Sequence, residues 1–157
     1  MYKEYPVFYN YEVKEYGRKS RTDDPLLTTD EILAKHSKII EEYAIKNLGG
    51  PIPEENKYME VGSGESLKER PEITRLLKDI ESPAVKAIIV VEVQRLSRGD
   101  LEDAGKLIRL LRYTNTYVIT PMKIYDLRYV YDCDAFECEL YFGIVFFLFF
   151  FKFFALG

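Results

Sequence analysis

A three-layer α/β domain on a mostly parallel central sheet, followed by a C-terminal helix, is predicted here from three observations. Amphipathic stretches with apolar residues three and four apart alternate along the chain with short β-branched runs. One run, KAIIVVEV at 86–93, is apolar without alternation, the pattern of a strand covered on both faces. Composition agrees: 157 residues that are 47% hydrophobic and 31% charged have the make-up of a globular chain with a real core.

Taken in order, MYKEYPVFYN lacks a charged segment followed by a long apolar run, so it does not read as a signal peptide. An extended, tyrosine-rich N-terminus then leads through a first strand into YGRKSRTDD at 16–24. Residues 28–47 place Ile32, Leu33, His36, Ile39, Ile40 and Tyr43 on one helical face, with Thr28 and Glu31 spaced as a capping box. Gly49 and Gly50 end that helix. PIPEENK leads to a short strand in YMEVGSG, and RPEITRLLKDI repeats helical spacing through Ile73, Leu76, Leu77 and Ile80. After the strand at 86–93, DLEDAGKLIRLLRY carries Leu101, Ala104, Leu107, Ile108 and Leu111, and TYVITP supplies a strand stopped by Pro121.

Charge and cysteine content narrow the chemistry. A formal net charge of −4 gives the whole chain no electrostatic footprint for DNA, so any such contact has to come from local basic clusters or a further domain. Cys133 and Cys138 are too few for a zinc site and make no disulfide framework, which suits a reducing cytosol.

In an α/β sheet, functional groups gather beyond the C-terminal ends of the strands. Ser20 follows the first strand, Glu60, Ser63 and Gly64 the second, and Arg95 and Arg98 the third, so three strands deliver polar groups to one edge. Ser20 is flanked by Arg18, Lys19 and Arg21 rather than by a histidine, which points away from acyl transfer and toward phosphate. Arg95 and Arg98 are expected at a helix start, where backbone N–H groups favour an anion and guanidinium forks add bidentate donors; Arg70 opens the preceding helix. Such arginines could neutralise a phosphoryl transition state with no metal or cofactor called for. Each residue also has a plainer reading. Ser20 alone could cap a helix or sit in a turn, and Ser63 between Gly62 and Gly64 could be only a tight turn. Arg95 and Arg98 could pair with surface carboxylates, Glu60 could orient an arginine, His36 could be packing, and Lys19 and Arg21 could be solvated flanks touching DNA backbone at most.

Together, YGRKSR, YMEVGSGESLKERPEI and IIVVEVQRLSRGDLEDAG resemble the catalytic domain of the serine recombinases, most closely the large serine integrases and transposon recombinases, over roughly residues 10–128. The resemblance implies a resolvase-like fold and site-specific recombination of DNA. Ser20 would then be the nucleophile that forms a 5′-phosphoserine linkage and releases a 3′-hydroxyl, followed by strand exchange and religation. Arg18, Arg70, Arg95 and Arg98 would bind phosphate, Glu60 stands where relatives have aspartate, and Ser63 is the turn serine, with Lys19 and Arg21 on the DNA backbone. Gln94 stands where many members have an acid. A cytoplasmic, bacterial or phage-encoded enzyme acting at the nucleoid on an attachment or crossover site is implied, as a dimer or tetramer, with no stable membrane partner.

The expected division is a catalytic domain over 1–130 and, over 131–157, the start of the long oligomerisation helix, with DNA-binding domains downstream. That last segment departs from the family: Cys133, Cys138 and Phe142 stand where arginines are expected, and YFGIVFFLFFFKFFALG at 141–157 holds eight of the ten phenylalanines with one charge, Lys152. It is marginal for spanning a bilayer and too apolar on every face for a solvated helix. A helix buried in an oligomer, a membrane-seeking tail and an altered sequence all remain open. Two other functions compete with recombination: an oligomerisation module of the same fold with impaired chemistry, and a phosphate-ligand-binding α/β domain. The last lacks both a Walker lysine motif and a dinucleotide fingerprint.

Overall fold

β-Branched residues between turn formers make five strands, and the periodic stretches between them make helices. The computed structural model describes residue 8 and residues 12–20, 22–61, 70–96 and 101–141. In chain order these give β1 (Glu12–Gly17), α1 (Thr29–Asn47), β2 (Lys57–Met59), α2 (Pro71–Asp79), β3 (Val85–Ile89), α3 (Leu101–Tyr113), β4 (Tyr117–Ile119) and β5 (Ile124–Tyr125). A further helix, α4, covers residues 130–141. The sheet order is β2-β1-β3-β4-β5, with parallel pairing throughout except for the antiparallel β4–β5 edge.

β3 lies at the centre because it is apolar on both sides. Ala87 and Ile89 pack with Val13, Ile119 and the α1 residues Ile40 and Ala44. Ile88 and Val90 pack on the opposite face with Ile73 and Leu76 of α2, Leu107, Ile108 and Leu111 of α3, and Phe136 and Leu140 of α4. Three layers result, as expected: α1, the sheet, then α2, α3 and α4. Complete burial of a side chain such as Ile88 or Ile89, both 0% exposed, contributes about 1.5–3 kcal/mol each.

The local signals act as their chemistry requires. Thr28 Oγ1 accepts from the Glu31 amide at 3.2 Å and starts α1, and Gly49, at φ 85°, takes the left-handed turn beyond its end. Gly17 ends β1 where a Cβ would stand 2.5 Å from Met59 Sδ and 3.2 Å from Leu33, so a side chain there would have to push aside the Met59 thioether and crowd Leu33 of α1.

Several expectations are corrected. Ile39 is 38% and Leu101 62% exposed, so neither belongs to its helix's buried face, whereas Ala44 is fully buried. The strand expected over 86–93 ends at Ile89, and Val93–Leu96 tighten into a 3₁₀ turn. β5 is too short to show periodicity and forms only because the Thr120–Lys123 turn folds it back on β4. In α4, Cys133 is buried, Cys138 exposed, and the Phe136 ring meets Tyr125 edge-on at 5.7 Å. Phe142 and the rest of the phenylalanine run lie outside the described residues. Among those described, no helix is long and apolar enough to cross a membrane.

Candidate active site

The C-terminal ends of β1, β2 and β3 are adjacent in the parallel sheet, so the chain segments that leave them meet. Arg18 to Ser20 leave β1, Glu60 leaves β2, and the 3₁₀ turn carrying Arg95 follows β3. Arg70 reaches the same place from the N-terminus of α2, where Pro71 at the first helical position fixes the entry and Arg70 is the N-cap residue.

Glu60 is 1% exposed and accepts from the backbone amides of Glu72 at 2.8 Å and Ile73 at 3.3 Å. It thereby caps α2 from a neighbouring strand, since Arg70 itself makes no side-chain cap. Its Oε2 also accepts from the Tyr16 hydroxyl at 3.0 Å and lies 3.7 Å from Arg70 Nε, in a pair 2% exposed on both sides. Arg70 Nη2 donates to Tyr16 Oη at 2.7 Å and to the carbonyls of Arg95 at 3.1 Å and Leu96 at 3.3 Å. Burial raises the Tyr16 pKa well above its ordinary value against the pull of Arg70, so Tyr16 stays a phenol that donates to Glu60. Of the two roles open to Glu60, these contacts favour orienting an arginine and a helix.

Arg18, 3% exposed, donates from Nε to the Arg95 carbonyl at 3.0 Å and from Nη2 to the Gln94 carbonyl at 3.1 Å. Arg95 returns the contact, with Nη1 on the Arg18 carbonyl at 3.2 Å. Its guanidinium also grips Asp23 two-handed, Nη1 to Oδ2 at 2.5 Å and Nη2 to Oδ1 at 3.0 Å, and reaches Glu92 from Nε at 3.2 Å. Burial alone would raise the Asp23 pKa. The bonds from Arg95 and from the Ser20 amide outweigh it and hold that carboxyl below the usual range.

Ser20 is half-buried at the edge of this network. Its amide donates to Asp23 Oδ2 at 2.7 Å, its carbonyl accepts from the Asp23 amide at 3.1 Å, and Oγ accepts from Thr22 Oγ1 at 3.2 Å. The structure thus brings Arg18, Ser20, Glu60, Arg70 and Arg95 into one connected cluster. Ser63, Arg21 and Arg98 lie outside the described residues.

Two expectations change here. Arg95 is not in an α-helix but inside a 3₁₀ turn, and protein oxygens hold its guanidinium. Lys19 is not a solvated flank: its Nζ donates to the Leu27 carbonyl at 2.8 Å and ties down the loop after β1. Two residues without an assigned role in the sequence belong to the cluster, Tyr16 and Asp23, and His36 of α1, read there as packing, reaches it with Nε2 3.8 Å from Asp23 Oδ1. Tyr16 stands in the Tyr-x-Arg-x-Ser pattern and Asp23 three residues after Ser20, but only tertiary contacts distinguish them from other tyrosines and aspartates.

The family model for the resolvase N-terminal domain matches residues 14–136, which runs from within β1 into α4. Among solved structures, the chain is similar to the N-terminal catalytic domain of TP901-1 integrase, with 20% sequence identity and a TM-score of 0.58. That match covers 80% of this chain and 88% of the other, and it shows the shared fold. With the family match over most of its length and this mostly parallel sheet, the chain belongs to the resolvase family as a serine recombinase N-terminal domain.

Proposed function

We propose that this domain cleaves and rejoins DNA through Ser20, whose Oγ attacks a phosphodiester to leave a 5′-phosphoserine and a free 3′-hydroxyl. The attacked phosphorus loses the deoxyribose 3′-oxygen, which takes a proton. Attack by that hydroxyl on a phosphoserine after strand exchange restores the backbone and frees the serine. What carries the reading is the position of Ser20: it leaves β1 beside three buried arginines that come from three different segments.

In this arrangement Arg18, Arg70 and Arg95 donate to carbonyls and carboxylates, so they build the loop around Ser20 and hold positive charge beside it. A phosphate would take the place of one of these acceptors, which are of the same chemical kind. Arg98, Arg21 and Ser63 would complete the phosphate contacts. Sequence-specific recognition would need surface beyond this cluster, and residues 131–157 would begin the oligomerisation helix.

Ser20→Ala in the full-length recombinase should abolish the covalent protein–DNA adduct and leave DNA binding within about twofold, because only the nucleophile is lost. An adduct of ordinary yield from that variant would sink the assignment. The competing reading, an oligomerisation module with impaired chemistry, draws on the engagement of Arg95 by Asp23 and Glu92. It predicts no adduct from the wild-type protein on its own crossover DNA.

A further inference from the structure

Asp23 closes a small ring with the serine three residues before it. The Ser20 amide donates to Asp23 Oδ2 at 2.7 Å, while the Asp23 amide donates back to the Ser20 carbonyl at 3.1 Å. The same Oδ2 takes Arg95 Nη1 at 2.5 Å, and Oδ1 takes Nη2 at 3.0 Å. Both partners are withdrawn from solvent: the Asp23 side chain is 10% and that of Arg95 6% exposed. A two-point charged fork of this kind fixes direction as well as distance, and a buried one resists exchange with water. Arg95 in turn donates to the Arg18 carbonyl and accepts on its own carbonyl from the Arg18 guanidinium, so the orientation of the Ser20 peptide is referred to the β3 side of the sheet.

We infer that Asp23 is a positioning residue for the reaction: its carboxylate sets the direction of the Ser20 backbone, and so of the Cα–Cβ bond carrying the nucleophile, against the Arg95 guanidinium. This rests on the reading of Ser20 as nucleophile. Asp23 neither touches the phosphate nor moves a proton. A carboxylate is suited to the task because it alone among side chains of this length can accept from a backbone amide and from both arms of a guanidinium together. A latch that keeps Arg95 from phosphate would make the opposite kinetic prediction, faster adduct formation on loss of the carboxylate.

The test uses the full-length recombinase with duplex DNA carrying its crossover site, and two variants. Asp23→Ala should slow adduct formation at saturating DNA about 100-fold, the scale of an ångström's misplacement of a reacting group, with the Kd for DNA moved less than twofold. Asp23→Asn, which keeps the shape and can keep one acceptor oxygen, should slow it about tenfold, a partial rescue that a merely structural role would not give. In the ¹⁵N–¹H spectrum of the domain, the Ser20 amide should lose its downfield shift in both variants, in step with the rate. An adduct rate at or above wild type in the Asn variant overturns the inference, and so does an unmoved Ser20 amide. Should the Ala variant not fold, the Asn variant decides by itself. Ser20→Ala, run in parallel, separates the two levels: if it still forms adduct the nucleophile reading has failed, whereas loss of adduct there with normal cleavage by the Asp23 variants defeats only the inference.

Discussion

His36 sits on the buried face of α1 against Asp23, and its Nδ1 has no hydrogen-bond partner among the described residues. Burial, then the charge of Arg95, holds its pKa below the ordinary 6.5, against the pull of Asp23 and Glu92. Because the folded-state value is the lower one, the unfolded chain takes up the proton first. His36 therefore contributes stability that is present above the unfolded value and lost as pH falls from there through the lower folded value. Asp23, also lowered, acts in the same direction at more acid pH, whereas Glu15, raised by burial, contributes stability that is lost as pH rises. The His36 share can be isolated by difference. Thermal melts at about pH 7.5 and pH 5.5 should show a larger loss for the wild type than for His36→Gln. Equal losses in the two proteins would mean that His36 does not titrate across the transition.

At the scale of elements, the cluster depends on helix ends made by distant residues. Glu60, beyond β2, satisfies the first amides of α2, and this is what holds Arg70 in place at the helix entrance. On the same side of the sheet, α4 docks through Cys133, Phe136 and Leu140. Phe136 is 0% exposed with its ring against Tyr125, and the Tyr125 hydroxyl donates to Glu139 on the same helix. Phe136→Ala should therefore cost about 3–5 kcal/mol in urea unfolding, while Thr28→Ala, which removes only the α1 cap, should cost about 1 kcal/mol. A loss below about 1 kcal/mol at Phe136 would show that α4 is not part of the cooperative fold.

At the scale of the whole molecule, we propose that the apolar tail drives assembly. Eight phenylalanines within residues 141–157 cannot stay hydrated on a monomer, since each buried ring is favoured by roughly 25 cal/mol per Å². Membership of the resolvase family implies an oligomeric assembly working on DNA, and burial of this segment against a second copy fits that implication. Light scattering on the chain with and without residues 141–157 should give a dimer or larger species for the intact chain and a smaller one for the truncated form. A monodisperse monomer of the intact chain in detergent-free buffer would defeat the idea. Among the described residues, the buried arginines Arg18, Arg70 and Arg95 each face a carboxylate or carbonyl, in keeping with the formal charge of −4.

By itself, the sequence determined the layered α/β class, the helices α1, α2 and α3, the central place of β3 and the delivery of Ser20, Glu60, Arg70 and Arg95 to one edge. All of these follow from periodicity, caps and the rule that polar groups gather beyond parallel strands, which are local signals repeated over many residues. Tertiary structure alone decided which oxygen each arginine binds, that Arg95 lies in a 3₁₀ turn, that Lys19 ties down the loop after β1 while Glu60 accepts from the α2 amides, and that Asp23 bonds the Ser20 amide with His36 on its other side. These contacts join residues up to 77 positions apart, as between Arg18 and Arg95. No period or short motif encodes such a pairing, because a guanidinium is satisfied equally well by many oxygens and only packing fixes which one comes within reach.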